Sequence, residues 1–394
     1  MSSEINVNEM LRERASLKIS LIGVGNAGNQ LLNKAQKAGY DVFAINSSEK
    51  DLNNAVTSDQ LPSFVIGHEA RGAGKVRSVA VNLFKETGNN LFTSIPYFTE
   101  MCERSDVIIV AGATAGGTGS GVCPPLINLL KNVYPTKIII YIGIIPRLTD
   151  SVNAQENSIA CLNEIFSLKI PYILADLNYY TGVANDLAYD KIQNYIIDCL
   201  DTIAGKYLNM SSFGMIDEND MRMVIGEPGY MSLYFVNKVT QQMLDRESMQ
   251  SMMIKQIKHN PAAEMQRDKI IKNMAAIFNV SEDITDSSRS GDYEELESVI
   301  GRPLSTYENY AITNGTEGQM IIILSGQTDP MNRVDKMIQI SKTALEQAKM
   351  RKDFTSAMQD AVNSSLTQNR NLPGLEDISS DEKKATVADF FKNL

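Results

Sequence analysis

Short runs that are apolar on both faces recur through the first half of the chain, at Lys18–Gly23, Asp41–Asn46, Val107–Ala111, Lys137–Ile145 and Pro171–Asp176. Each is followed by a segment long enough for a crossover helix. That pattern predicts an open parallel sheet with helices on both sides. A longer period comes next. Leu187, Ile192, Ile196, Leu200 and Ile203 recur at helical spacing, which predicts a helix from about Ala184 to Leu208, buried along most of its length. The polar break Asn209–Phe213 and the acidic cluster Asp217–Asp220 lead into a second α/β segment, with strands expected at Met231–Val236 and Gln319–Leu324. From Asn332 to about Leu366 the chain reads as one extended amphipathic helix, and from Thr367 as a polar tail with Pro and Gly. The expected organisation is an arm at 1–16, an α/β domain at 17–185, a core helix and connection at 186–216, a smaller α/β domain at 217–330, a helix at 331–366 and a tail at 367–394.

The composition narrows the function. With 394 residues, 43% of them hydrophobic, the chain can bury two cores. Its net charge of −10 argues against non-specific duplex binding, which needs a basic face to displace counterions. DNA is therefore expected only through a basic partner. No apolar run of about 18 residues spans a bilayer, and residues 1–17 lack a secretory apolar core. A cytoplasmic protein without membrane contact is expected. The four cysteines stand far apart without a CxxC pair, and with only two histidines a zinc site is not expected; the thiols read as buried packing groups. Neither His68 nor His259 has a triad partner, and both read as surface residues.

Two glycine loops carry the chemistry. The first strand ends in Gly23-Val24-Gly25-Asn26-Ala27-Gly28, where glycines let the backbone come within hydrogen-bond reach of phosphate at a helix N-terminus. A dinucleotide site of this form needs an acidic residue at the tip of the second strand to hold the ribose. That strand ends in Ala44-Ile45-Asn46-Ser47-Ser48, so the dehydrogenase reading loses its support. The second loop, Ala111-Gly112-Ala113-Thr114-Ala115-Gly116-Gly117-Thr118-Gly119-Ser120-Gly121, is more specific. It follows an apolar strand and is expected to open a helix at about Val122, with Pro124 in its first turn. Clustered glycine N–H groups and two hydroxyls suit a polyphosphate, and the absence of the lysine of GxxxxGK[ST] excludes a Walker loop.

The run AGGTGSG resembles the signature of the tubulin/FtsZ superfamily, and Gly23–Gly28 resembles its first nucleotide loop. The resemblance extends from about Lys18 to Gly326. It is strongest at AGGTGSGVCPPLINLLKNVYP and IPRLTDSVNAQENSIACLNEI, which look closest to the plasmid- and phage-borne TubZ branch. It implies a tubulin-like α/β fold, in which a Rossmann-like GTP-binding domain is joined by the long core helix to a smaller α/β domain. It further implies a GTPase that binds GTP and GDP, with Mg²⁺ held through phosphate oxygens and water and by no protein ligand. Carried over by position, Gly25, Asn26, Ala27, Asn29, Asn46, Gly116, Gly117, Thr118, Gly119 and Ser120 fall on nucleotide loops. Gly72, Ala73 and Gly74 match a loop facing the γ-phosphate, where a plain turn is the alternative. Asp150 falls at a ribose contact, and Asn157, Asn178, Tyr189 and Asn194 fall in the guanine and ribose pocket. For Tyr189 the alternative is ordinary core packing.

Asp217 and Asp220 resemble the loop that these GTPases present to the next subunit's nucleotide, and they are the catalytic candidates. A carboxylate kept off its own polyphosphate allows binding before chemistry. The alternative is a solvated acidic turn capping the helix that follows. FtsZ-type loops carry Asn two residues before the first Asp; here that position is Met215. The resemblance also implies self-assembly into filaments for plasmid or phage DNA segregation, with a small DNA-binding adaptor at the C-terminal tail. Val387, Phe390, Phe391 and Leu394 fall at helical spacing there, as a short docking face would, and a fraying end with stray apolar residues is the alternative. The rival readings are a division or phage-positioning filament and a nucleotide-bound polymer without turnover.

Overall fold

The computed structural model describes residues 16–56, 61–67, 71–209, 215–266, 270–281, 284, 293–313 and 317–368, apart from the side chains of 348 and 351–368. The five expected parallel strands are present as β1 (Ile19–Val24), β2 (Asp41–Asn46), β4 (Val107–Ala113), β5 (Ile138–Ile145) and β6 (Pro171–Asp176), with a short edge strand β3 (Ser63–Val65). The sheet continues through β7 (Gly229–Val239), β8 (Asn273–Ser281), β9 (Ser305–Thr313) and β10 (Gly318–Gln327). The strand order is β3-β2-β1-β4-β5-β6-β7-β10-β8-β9. Its parallel and mixed halves join through only Pro171 opposite Gly229 and Tyr172 opposite Tyr230.

Alternation along each strand separates two apolar layers, because successive side chains leave opposite faces. Val107 and Ile109 of β4 face α1 (Gly25–Lys37), through Leu31 and Leu32, and α4 (Asn185–Ile203), through Ile192, Ile196 and Ile203. Ile108 and Val110 face α2 (Gly117–Val133) and α3 (Val152–Ser167), through Leu126, Ile127 and Leu162. The α4 layer also takes in Leu233 of β7, Ile277 of β8 and Ile321 of β10. One helix therefore covers both halves of the sheet, as a core helix should. A third cluster packs Met252 and Met253 of the helix Met249–Lys258 on Tyr234, Met274 and Ile322. All four cysteines are fully buried within these layers.

A small helix α5 (Glu218–Gly226) follows the core helix, and the chain divides into two units, residues 1–341 and 342–394, with the helix α6 (Met331–Gln368) starting in the first. The N-terminal arm up to residue 15, His68 and residues 369–394, including the terminal apolar stripe, lie outside the described residues. His259 is exposed.

One expectation is corrected. The helix after the second glycine loop begins at Gly117, not Val122, so Pro124 and Pro125 lie inside it. Pro124 has no N–H to give to the Ser120 carbonyl. Arg77 Nε donates to that carbonyl instead, at 3.2 Å. A side chain from another helix thus supplies the bond that would otherwise be missing from the ladder.

Candidate functional site

Strand order reverses between β1 and β4, and at such a switch point the connections diverge to opposite faces and leave a crevice at the carboxyl ends. Here α1 and α2 both start in that crevice, and neither first turn has a side-chain cap. Their leading N–H groups carry partial positive charge and lack helical acceptors, which is an arrangement for anions. The glycines make the close approach possible. A Cβ at Gly119 would lie 2.5 Å from the Ala113 oxygen, and one at Gly25 would lie 3.0 Å from the Gly119 nitrogen. Gly25 also holds φ +70°, a region few other residues enter. Asn26 is exposed and Ala27 half-buried on the first turn of α1.

Several candidates serve the loops rather than the open cleft. Asn29 is fully buried, and its Nδ2 donates to the carbonyls of Gly23 at 2.8 Å and Ile45 at 3.3 Å. Asn46 Nδ2 donates to Asn29 Oδ1 at 2.8 Å, while Asn46 Oδ1 accepts from the Ser47 amide. Together they tie the tips of β1 and β2. The Ser120 hydroxyl bonds back to the Gly116 carbonyl. Thr118 Oγ1 and Ser47 Oγ lie 2.7 Å apart, so the β2 tip reaches the second glycine loop.

The third loop folds onto the same place. Gly72 (φ +86°), Gly74 (φ +55°) and Lys75 (φ +62°) all have left-handed backbones, while Ala73 is buried. Asn157 Nδ2 bonds the carbonyls of Lys75 at 3.0 Å and Ala115 at 3.1 Å, clamping this loop to the glycine run. Three phosphate-compatible backbones therefore meet at one point.

The residues expected to take the base and ribose lie beyond β5 and β6. Arg147 N–H donates to Asp150 Oδ2 at 2.9 Å, and Leu148 N–H donates to Asn178 Oδ1 at 3.1 Å. Burial and then the nearby Asp150 push the Tyr189 phenol up, with Arg147 opposing, so these three side chains share one corner. Asn194 does not share that corner freely: its Oδ1 accepts from Lys34 Nζ at 2.6 Å, beside the Lys34–Asp190 ion pair. The residue one full turn after Tyr189 is Gln193, 7% exposed. Sequence reasoning passed over Gln193 and Arg147. The i,i+4 spacing from Tyr189 could have found the first, and a cation just past a strand's carboxyl end the second.

Asp217 and Asp220 lie elsewhere. Asp217 N-caps α5, accepting from the Asp220 N–H at 2.8 Å, while the Asp217 N–H donates to Asp220 Oδ2 at 3.2 Å in a capping box. Arg222 of the same helix bonds Glu218 at 2.9 Å and Asp106 at 2.7 Å. Burial raises the Asp106 pKa, but the Lys18 amide and Arg222 outweigh it and hold the acid below its ordinary range. Asp106 and Lys18 precede β4 and β1, so α5 sits at the edge opposite the glycine loops. The seven residues of β4 separate the two edges by about 20 Å. No carboxylate of α5 reaches its own crevice. Among the described residues no cluster of three acidic, His or Cys side chains could hold a metal ion.

Residues 18–169 match the family model described as Tubulin/FtsZ family, GTPase domain. The chain is 25% identical over 391 residues to the tubulin-like protein TubZ of Clostridium botulinum C phage, covering 95% of this chain and 98% of that one. It is also 25% identical over 247 residues to the tubulin-like protein CetZ of Methanothrix thermoacetophila, covering 54% and 64% of the two chains. The solved structure of tail-truncated TubZ from Clostridium botulinum phage c-st superposes with a TM-score of 0.65 at 22% identity, over 84% of this chain and 98% of that one. A GTPγS-form protofilament of TubZ from Bacillus thuringiensis serovar israelensis gives 0.69 at 16% identity, over 88% and 98%.

Proposed function

We propose that the chain, whose residues 18–169 match the Tubulin/FtsZ family GTPase-domain model and whose fold is tubulin-like, binds GTP in the crevice and hydrolyses it only where a second copy closes over the site. The observation that carries this reading is the placement of the phosphate loops and the Asp217–Asp220 pair at opposite edges of one sheet. Head-to-tail stacking brings the two edges together, and such a heterologous contact propagates into a filament. Both edges carry apolar side chains suited to it. Met215, Met223, Ile270 and Leu304 are exposed near α5 and the starts of β8 and β9; Val76, Val79 and Leu187 are exposed beside the crevice.

Within the site, the first turns of α1 and α2 hold the phosphates. The loop Gly72–Lys75, clamped by Asn157, borders the terminal phosphate. Tyr189 stacks on the purine, and Asp150 takes the ribose. The incoming Asp217 and Asp220 orient the attacking water in line with the γ-phosphate. The oxygens of GTP and water fit Mg²⁺ without a protein cage, and the ion supplies neutralisation of phosphate charge. Phosphate release measured across a concentration series tests the reading. Specific activity should rise steeply above an assembly threshold, and a constant value would defeat it.

Asn178 and Gln193 read the guanine edge through their amides. Titration calorimetry should show GTP and GDP binding with ATP about 100-fold weaker, as two lost hydrogen bonds imply. Gln193→Leu should erase most of that preference. Equal affinity of the wild type for ATP would remove both residues from this role.

The biological role favoured is segregation of a plasmid or phage genome, supported by full-length similarity to a phage TubZ and by the acidic charge. Removing residues 367–394 should leave assembly and turnover intact and abolish adaptor-dependent recruitment of DNA to filaments in a pelleting assay. Loss of filaments would instead put the tail in the polymer contact.

A further inference from the structure

Arg333, in the first turn of α6, is only 3% exposed, and it lies far outside the matched domain. Its Nε donates to Asp176 Oδ2 at 2.6 Å and its Nη2 to Asp176 Oδ1 at 3.1 Å, while Nη2 also reaches the Pro146 carbonyl. Asp176 ends β6 and Pro146 follows β5, so one guanidinium spans two adjacent strand tips. Those tips launch the two segments assigned to base and ribose. Asp176 Oδ1 also accepts from the Asn178 N–H at 2.9 Å, and Asn178 Oδ1 accepts from Leu148 N–H at 3.1 Å. Next to Leu148, the Arg147 amide holds Asp150 at 2.9 Å. A single carboxylate thus connects the C-terminal helix to both loops.

We propose that Arg333 is a positioning residue of the nucleotide site, so that the base pocket is shaped from the start of the C-terminal helix; this rests on the reading of the crevice as a guanine-nucleotide site. The fork of an arginine fixes the plane of the carboxylate it grips. Asp176 held in that plane sets the turn at Asn178 and, through it, the backbone at Leu148. Burying an ion pair stabilises little by itself, because desolvation offsets the attraction. Arg333 Nη1 is buried without an acceptor, a cost that filling space with an apolar side chain avoids. Orientation of the carboxylate is what the pair gains. Linkage is reciprocal, so a nucleotide that orders these loops also orders the first turns of α6.

The test uses the full chain below its assembly threshold, titrated with fluorescent GDP and ADP, with thermal unfolding recorded without nucleotide. Arg333→Met should weaken GDP binding about tenfold or more and shrink the preference for GDP over ADP, with Arg333→Lys recovering part of both. Tyr172→Phe is the control. It removes the bond from Tyr172 to Asp329 beside the helix start without touching either loop, so it should lower Tm and leave the preference unchanged. A folded Arg333→Met protein with wild-type affinity and preference overturns the proposal. If neither Arg333 variant folds, hydrogen exchange on the wild type decides: GDP should slow exchange at amides 332–341, and unchanged exchange overturns the proposal. A wild type that does not bind GDP defeats the reading of the crevice instead.

Discussion

Asp217→Asn is expected to bind GTP and assemble like the wild type while releasing phosphate about 100-fold more slowly or worse, the scale of a lost acid–base or water-positioning group. The substitution is chosen because Asp217 has a structural duty. Its carboxylate caps α5 by accepting the Asp220 amide at 2.8 Å. Asn caps a helix as well as Asp does, so the cap survives and the negative charge goes. Asp217→Ala removes both and should add a loss of about 1 kcal/mol in stability from the missing cap. If slow turnover follows the charge, Asn and Ala are equally impaired in hydrolysis and differ only in Tm. Should slow turnover follow the cap instead, Asn would hydrolyse normally, and Asp217 would be a helix cap and nothing more. Filaments of the Asn variant should persist longer, because GTP-bound contacts are no longer converted to GDP-bound ones. Phosphate release and light scattering over one concentration series measure both effects. Asp220→Asn, which disturbs the reciprocal bond of the capping box, should show whether the second carboxylate carries an equal share.

The other large effect is expected at Gly119. A Cβ there would sit 2.5 Å from the Ala113 oxygen, which is backbone and cannot swing aside as a side chain would. Gly119→Val must therefore displace either the end of β4 or the first turn of α2, and the N–H groups aimed into the crevice move with it. Loss of nucleotide affinity by about 100-fold or more is expected, in line with several charge-assisted bonds lost together. Retained secondary structure by circular dichroism separates this from general unfolding. Gly116→Ala is the informative partner. Nothing in the protein lies within 4 Å of a Cβ at Gly116, so the fold should tolerate the methyl group. Any loss of affinity in that variant reports the nucleotide itself. A folded Gly119→Val protein that binds GTP normally would show that α2 does not cradle phosphate.

The parallel half of the sheet was legible without coordinates because its strands are buried on both faces. Such strands read as unbroken apolar runs, and β1 and β4 are buried at nearly every position. The core helix and both glycine loops were equally plain. Strand β9 was not, since it is partly exposed and its sequence STYENYAIT alternates too weakly to mark a strand. The start of α2 was misplaced for a local reason with a distant remedy. Glycines and prolines argue against helix, and only tertiary packing brings Arg77 to the carbonyl that Pro124 leaves without a donor. The same limit applies to the site. The resemblance puts Asn29, Asn46 and Asn157 near the nucleotide, but their partners are backbone groups and one another, which shape the loops. Nothing in the order of residues placed α5 at the far edge of the sheet, or brought Arg333 across 157 positions to Asp176. Periodicity records how each stretch is buried. Which buried polar group meets which depends on long-range packing, because an unpaired one costs too much to leave alone and its partner can lie anywhere in the chain.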